Sequence, residues 1–130
     1  MNLNQVTLPA TDVERSALFY QRLGFTQIVS SLPRYARFEC QEGGATFSLH
    51  HFDSVNSSQT VIYFECEDLD ATYQRLLALG IEFDQEPKDQ LWLWREAYLR
   101  DPDGNVICLY HAGNTRRFPP WRLSEDTPRV

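Results

Sequence analysis

The sequence consists of two similar halves, and this repeat constrains the fold more than any other feature. In each half a short apolar segment precedes an acidic residue (Asp12 or Asp68), after which a helical pattern runs to a glycine, Gly24 or Gly80. The Asp-to-Gly spacing is 12 residues in both halves, and the halves are offset by 56 residues. A later strand-like segment, residues 44–50, recurs as residues 104–110 at an offset of 60. The matching order of these features predicts a duplicated unit.

Each half contains one predicted helix with its own start and stop signals. The first helix has two candidate caps, a Thr11-x-x-Glu14 capping box or the adjacent Asp12, and it ends at Gly24. The second begins at Asp68 and ends at Gly80. Helical spacing places an apolar stripe on each helix, which we expect to be core: Val13, Ala17 and Tyr20 in the first, and Leu69, Tyr73, Leu76 and Leu77 in the second.

The remaining apolar segments predict short strands. They cover residues 25–31, 34–40 and 45–52 in the first half, and 81–86, 91–100 and 106–111 in the second. Gly43-Gly44 and Asp101-Pro102-Asp103-Gly104 are turn signals between them. The order in each half is therefore βαβββ, which is typical of an α+β fold with helices packed on one side of the sheet. We expect one domain over residues 1–112, with modules at about 1–53 and 60–112.

Residues 113–130 form a tail without periodicity. It carries four arginines against Glu125 and Asp126, a net charge of +2 in a chain whose formal net charge is −6. Phe118 and Trp121 flank two prolines within it. We expect residues 116–123 to be ordered, with Phe118 or Trp121 packed on the body or on a partner subunit, and residues 124–130 to be mobile.

Strand alternation divides each strand into two sets of side chains, and the set facing away from the helices is unusually aromatic. The aromatic members are Tyr35, Phe52, Tyr63, Trp92, Trp94, Tyr98 and Tyr110, and the polar ones are Arg37, Glu39, His50, Glu65, Glu96 and Arg100. Aromatic area with a few charged groups suits a small-molecule pocket, and it also suits contact with another subunit. Both interpretations can hold together.

Charge and cysteine content exclude several classes of partner. The 12 basic residues against 18 acidic ones argue against nucleic acid and anionic membrane surfaces, and no apolar run reaches membrane-spanning length. Cys40, Cys66 and Cys108 lie far apart with no C-x-x-C spacing, which is typical of reduced thiols. We expect a cytoplasmic protein without a secretory signal.

Several segments give the chain a specific resemblance. They are Gln5-Val6-Thr7-Leu8, residues 12–25, residues 67–71 with Gly80-Ile81, and, most specifically, residues 94–105 (WREAYLRDPDGN). Over about residues 2–112 the chain resembles the vicinal oxygen chelate superfamily, which includes glyoxalase I, bleomycin-resistance proteins and extradiol dioxygenases. The resemblance implies two tandem βαβββ modules forming curved mixed sheets around a cavity, with the helices outside. It also favours a homodimer.

The metalloenzymes of that superfamily use four ligands, and the resemblance places them at Gln5, Ser48, Val61 and Cys108. Gln5 can ligate through its carbonyl oxygen. Ser48 is a poor ligand, Val61 has no lone pair, and Cys108 does not suit oxygen-preferring ions. We therefore expect no cofactor and no family metal, although a displaced metal near His50 is a less favoured alternative.

Two functions that involve a small molecule remain open. One is a metal-free protein that binds a small aromatic or amphipathic molecule. The other is a glyoxalase-like lyase or isomerase, or a dioxygenase-like enzyme, in which Arg37 or Arg100 holds an anionic group and His50 moves protons. A homodimeric interaction module without turnover is a third interpretation. The predicted ligand-binding residues are Gln5, Tyr35, Arg37, His50, Tyr63, Trp92, Trp94, Tyr98, Arg100, Cys108 and Tyr110.

Overall fold

The computed structural model describes residues 1–56 and 59–129 and contains two βαβββ modules. The first comprises β1 (Gln5–Ala10), α1 (Val13–Leu23), β2 (Thr26–Ser31), β3 (Tyr35–Glu39) and β4 (Thr46–His51). The second comprises β5 (Val61–Glu65), α2 (Leu69–Ala78), β6 (Gln85–Asp89), β7 (Arg95–Arg100) and β8 (Val106–His111). The sheets are mixed, in the orders β1-β4-β3-β2 and β5-β8-β7-β6, and neither closes. The predicted fold class is confirmed.

The strand register shows the same repeat in three dimensions. In the first module Gln5 lies opposite Thr46 in the parallel pair β1–β4. In the second module Val61 lies opposite Val106 in the parallel pair β5–β8. Tyr63 is likewise opposite Cys108, as Thr7 is opposite Ser48. The two offsets of the sequence repeat therefore relate equivalent positions of the two sheets.

Both helices begin after a predicted cap, and α1 ends at Gly24 as predicted, whereas α2 ends at Ala78 with Leu79 as its C-cap, one residue before Gly80. Asp12 caps α1 by accepting a hydrogen bond from the Arg15 backbone N–H at 3.0 Å, and Asp68 caps α2 in the same way through Ala71. Thr11 is therefore not the cap. Gly24 ends α1 with φ 109°, which a side chain would disfavour. Leu77 was expected in the core, but it is exposed, because the buried stripe of α2 runs through Leu69 and Leu76.

Two strand predictions in the second module were wrong. The first strand after α2 runs from Gln85 to Asp89 rather than over 81–86, since Ile81 instead buries its side chain against the core. The predicted strand 91–100 begins only at Arg95. Residues 90–94 form a hairpin turn in which the Leu93 N–H donates to the Gln90 carbonyl at 3.1 Å and Leu93 has φ 71°. A residue with a positive φ lies outside the β region, so the strand cannot continue through Leu93.

The helix-facing sides of both sheets share one hydrophobic core. Phe64 of β5 contacts Phe25 at 4.6 Å and Phe47 of β4 at 5.5 Å between ring centroids. The same core contains Tyr20 from α1 and Leu76 from α2. The modules are therefore joined through their helix-facing sides. Neither helix in the described part of the chain has the length and apolar character that crossing a bilayer would need.

Polar contacts join the β7–β8 turn to the end of β1 and the start of α1. The Tyr20 hydroxyl donates to Asp101 at 2.7 Å, and the Thr11 hydroxyl donates to Asp103 at 2.6 Å. The Asn105 side chain donates to the Pro9 carbonyl at 3.1 Å. The Asp-Pro-Asp-Gly turn predicted from sequence thus also connects the two modules.

The tail leaves β8 through a short 3-10 helix, Gly113–Arg116. Phe118 and Trp121 are 51% and 56% exposed, so they do not pack on the body of the same chain as one alternative expected. The Arg122 guanidinium instead lies 4.7 Å from the centroid of the Phe118 ring. The alternative of packing on a partner subunit stays a prediction. Val130, at the end of the segment expected to be mobile, lies outside the described residues.

Candidate functional site

The predicted site residues lie on the two sheet surfaces opposite the shared core. We call the surface of the first sheet face 1 and that of the second sheet face 2. Face 1 carries Gln5, Tyr35, Arg37 and His50. Face 2 carries Tyr63, Tyr98, Arg100, Cys108 and Tyr110 on its strands, while Trp92 and Trp94 come from the turn before β7.

A hydrogen-bonded cluster of side chains forms one end of face 1. The Gln5 amide nitrogen donates to the Ser48 hydroxyl at 2.8 Å, and the Thr7 hydroxyl is 2.9 Å from the same oxygen. The Gln5 carbonyl oxygen accepts a hydrogen bond from Thr46. Ser48 is fully buried. The polar atoms of Gln5 and Ser48 are therefore occupied by each other and by neighbouring hydroxyl groups.

Tyr35, Arg37 and His50 form the other end of face 1. Arg37 donates from Nε to the Tyr35 hydroxyl at 2.9 Å. Hydrogen bonds from Ser48, and then from Arg37, lower the pKa of Tyr35 below its ordinary value, because they stabilise the phenolate. His50 Nδ1 lies 3.0 Å from the His51 carbonyl, so Nδ1 donates and Nε2 is left to accept a proton. Within the described ranges no carboxylate contacts His50.

Face 2 presents a cluster of aromatic rings. Trp94 and Tyr110 are stacked with centroids 4.6 Å apart. Tyr63 meets both rings edge-on, at 6.0 Å from Trp94 and 5.7 Å from Tyr110. Tyr63 and Trp92 are 48% and 46% exposed, whereas Tyr110 is buried. The cluster is therefore a partly open apolar surface of the kind that stacks against a planar ligand.

A buried carboxylate lies beside these rings. Glu96 is only 3% exposed and accepts hydrogen bonds from Trp92 Nε1 at 2.9 Å and from the Tyr98 hydroxyl at 3.1 Å. Burial raises the pKa of Tyr98, and the nearby Cys108 and Glu96 raise it further. Burial also raises the pKa of the Cys108 thiol to about 12, so this thiol is protonated at neutral pH.

Arg100 lies on the predicted side of β7 but is already paired. Its Nε and a terminal nitrogen donate to the two Asp84 oxygens at 2.8 and 3.1 Å. Arg37 does not pair with Glu39, nor Glu96 with Arg100, although strand alternation places all four on the same sides of the sheets. Tyr35 is the partner of Arg37, and Trp92 and Tyr98 are the partners of Glu96. Arg100 thus has a carboxylate partner, whereas Arg37 has none among the described residues. The charge of Arg37 is therefore available to an anionic group.

The four positions implied for a metal do not fit one. Val61 offers no lone pair, and the oxygens of Gln5 and Ser48 are engaged in the face 1 cluster. The protonated Cys108 thiol is a poor ligand, since metals bind the thiolate. Over residues 1–56 and 59–129, no three side chains of His, Cys, Asp or Glu come together in a way that could hold a metal ion.

Faces 1 and 2 do not meet within one chain. The shared core lies on the opposite side of each sheet, and among the residues described no hydrogen bond, ion pair or ring contact links the two faces. A cavity of about 930 Å³ between the modules includes Tyr63 and no other predicted site residue. Each face is therefore open within the described part of the chain.

Sequence reasoning placed Glu96 on this surface but did not select it as a ligand-binding residue. Strand alternation alone cannot distinguish a buried, doubly bonded carboxylate from a solvated one. The Trp92-x-x-x-Glu96 spacing across the turn is the signal that could have indicated it. Thr7, which completes the Gln5–Ser48 cluster, was missed for the same reason.

The family model of the Glyoxalase/Bleomycin resistance protein/Dioxygenase superfamily matches residues 2–109. The chain belongs to this superfamily. The trivalent organoarsenical cleaving enzyme of Bacillus sp. (strain MD1) is 30% identical to this chain over 122 residues. The match covers 88% of this chain and 76% of that enzyme. The match to the uncharacterised protein YraH of Bacillus subtilis (strain 168) is 39% identical but spans only 42% of that protein.

Solved structures of the superfamily show the same architecture. A glyoxalase/bleomycin resistance protein/dioxygenase from Nocardioides superposes with a TM-score of 0.76 at 27% identity, covering 95% of this chain and 90% of that one. A bleomycin-binding protein complexed with bleomycin superposes with a TM-score of 0.70 at 23% identity, covering 85% and 98%. At that identity the second likeness concerns the fold alone.

Proposed function

We propose that this protein is a cytoplasmic homodimer that binds a small aromatic or amphipathic molecule, without the metal used by the superfamily's enzymes. The cavity is formed where face 1 of one subunit meets face 2 of the other. The observation that carries this proposal is the aromatic cluster of face 2, with Trp94 stacked on Tyr110 at 4.6 Å and Tyr63 and Trp92 left about half exposed. Three free cysteines suit a reducing compartment.

The chemistry of the two faces supports an amphipathic ligand. Face 2 supplies ring surfaces for stacking, which can add about 0.5–1.5 kcal/mol per ring pair beyond the area buried. Face 1 supplies Arg37, which no carboxylate neutralises in the described part of the chain. A planar ligand with one acidic group would therefore satisfy both faces. The fold shared with a bleomycin-binding protein is consistent with small-molecule binding.

A fluorescent aromatic anion tests the binding proposal. We expect 8-anilinonaphthalene-1-sulfonate to bind the native protein with enhanced fluorescence, because its rings suit face 2 and its sulfonate suits Arg37. Trp94→Ala should weaken binding by about tenfold, equivalent to about 1.4 kcal/mol. Leu91→Ala, at an exposed position outside the aromatic cluster, is the control. Equal binding by both variants would contradict the proposal.

The metal-free part of the proposal has its own measurement. Elemental analysis of freshly purified protein should find no stoichiometric nickel, zinc, iron or manganese, because Val61 and the engaged Gln5 and Ser48 leave too few ligands. One tightly held metal per chain that is lost in Gln5→Ala would overturn this expectation.

A second candidate function is an enzyme acting on a small oxygenated substrate, by a lyase, isomerase or dioxygenase-like reaction. It is favoured by the His50 ring, whose Nε2 is left to accept a proton beside Arg37 and Tyr35, and by the likeness to an organoarsenical cleaving enzyme. An NMR experiment separates the two functions. Compounds that co-purify with the protein, or that a binding screen finds, are incubated with it, and their NMR spectra are followed over time. Product formation that is lost in His50→Gln indicates catalysis, whereas an unchanged ligand indicates binding alone.

A further inference from the structure

A groove of about 930 Å³ runs between the two modules and meets face 2 at Tyr63 and Glu65. It lies between the end of α1 and the β3–β4 turn on one side, and the end of β5 with the start of α2 on the other. Its apolar lining includes Phe25, Phe64, Leu76 and Leu109, with the thiols of Cys40 and Cys66. Its charged lining includes Glu42, Glu65, Glu67 and Asp68, with Arg75 and His111. The groove thus combines an apolar lining with an excess of carboxylates.

The sequence repeat explains why this groove is open. The equivalent junction at the other end of the molecule is closed by the hydrogen bonds of Asp101 and Asp103 to Tyr20 and Thr11. At the repeat offsets of 56 and 60 residues, the equivalents of these four residues are Gln41, Gly43, Leu76 and Glu67. None of these equivalents repeats the contact, and all four line the groove. One junction is therefore joined by these carboxylate contacts, whereas at its counterpart the Arg75 guanidinium donates to the Leu23 carbonyl at 3.2 Å and a groove remains beside them.

The C-terminal segment, residues 113–129, has the chemistry that this groove lacks. It carries Arg116, Arg117, Arg122 and Arg129 with two exposed aromatic residues, Phe118 and Trp121. The segment begins at Gly113, which itself lines the groove, and Glu65 holds that start by accepting the Ala112 and Gly113 N–H groups at 2.8 Å each. After Gly113 the segment folds back on itself, because the Arg122 guanidinium donates a hydrogen bond to the Arg117 carbonyl. Its two aromatic residues stay exposed.

We propose that the groove is a docking site for the C-terminal segment of a second copy of this chain. Arginine side chains meet the carboxylates of the groove, and Phe118 and Trp121 cover its apolar lining. In the chain itself the segment leaves its own groove open, so the matching surfaces are free for exchange between two copies. This contact adjoins the ligand cavity proposed between faces 1 and 2 at Tyr63, but its arginine, carboxylate and thiol groups lie outside the aromatic cluster of face 2.

Native cysteines in the groove allow a direct test on the full-length protein. Trp121→Cys should form a disulfide-linked dimer under mild oxidation at about pH 8.5, where thiols begin to ionise. Cys40→Ser or Cys66→Ser in that background should reduce the dimer, because these thiols line the groove. Leu91→Cys, at an exposed turn, is the control for unspecific oxidation. Equal yields from the two introduced cysteines, or a cross-link within one chain, would overturn the proposal.

A charge test does not depend on disulfide geometry. The double variant Glu42→Lys/Glu67→Lys places two cations in the groove, and we expect it to weaken self-association measured by sedimentation by about tenfold or more. Glu82→Lys/Glu86→Lys makes the same change of charge at exposed positions outside the groove. Equal weakening by both variants, or none by the first, contradicts docking. Binding of 8-anilinonaphthalene-1-sulfonate to face 2 is followed in parallel, so that failure of this proposal is distinguished from failure of the proposed function.

Discussion

At the scale of single residues, equivalent positions of the two sheets hold side chains of different chemistry. Ser48 of β4 lies in a hydrogen-bonded cluster with Gln5 and Thr7, whereas its counterpart Cys108 of β8 is buried behind Tyr98 and Trp94. Neither position suits a metal ion, for different reasons. The Ser48 oxygen is occupied, and the Cys108 thiol stays protonated.

The raised pKa of Cys108 predicts loss of stability at alkaline pH. The folded-state pKa of about 12 lies above the ordinary value of 9.0, so the native state holds this proton more tightly than the unfolded chain. The stabilisation is therefore complete below about pH 9 and declines as the pH rises towards 12, with a slope of up to about 1.4 kcal/mol per pH unit. Urea unfolding at several pH values from about 8 to 10.5 measures this slope.

Cys108→Ala should flatten that dependence, because it removes the titrating thiol. Its stability at pH 7 should fall as well, since the buried sulfur leaves a small cavity. Cys40→Ala is the control, as Cys40 is less buried. If the slope of Cys108→Ala equals that of the native protein, the alkaline loss belongs to other groups, such as the buried Tyr20, whose pKa is also raised by burial.

At the scale of elements, the β7–β8 turn links two modules between which the described residues form no strand pairing. Asp101 organises the turn by accepting the Asp103 and Asn105 N–H groups at 2.9 Å each, while also accepting from Tyr20. Asp103 then accepts from the Thr11 N–H and hydroxyl and lies 3.4 Å from the Ser16 hydroxyl. One turn thus fixes the start of α1 against the opposite module.

Asp103→Ala should lower the free energy of unfolding by about 2–3 kcal/mol, because hydrogen bonds to a charged group are stronger than neutral ones and Thr11 loses its acceptor. Chemical denaturation measures this effect, provided that the dependence of the unfolding free energy on denaturant concentration is unchanged. Asp89→Ala removes an exposed carboxylate that pairs with Arg95 and should change stability by no more than about 0.5 kcal/mol. Equal effects of the two substitutions would show that the turn does not connect the modules energetically.

At the scale of the whole molecule, the open faces predict a dimer. Sedimentation at micromolar concentration should give a species of twice the chain mass of 15.2 kDa. Trp94→Glu should shift it towards monomer, because a charge would be buried in the interface proposed across face 2. Leu91→Glu adds the same charge at the exposed turn and should leave the dimer intact. A native protein that sediments as a single chain would contradict the prediction.

The sequence by itself determined the repeat, the caps at Asp12 and Asp68, the glycine end of α1 and the membership of each strand face, since these depend on spacing and on local backbone chemistry. Leu93 shows the limit of prediction from alternation. An apolar alternation through residues 91–94 resembled a strand, but the chain turns there.

Only the tertiary structure decided which groups meet. Alternation placed Arg37, Glu96 and Arg100 on their faces but could not give their partners, because partners such as Asp84 and Trp92 come from segments whose course depends on the turns between strands. The same holds for the two junctions between modules. The repeat gives the equivalent residues, but whether a junction is sealed by hydrogen bonds or left as a groove depends on side chains that packing brings together from opposite halves of the chain.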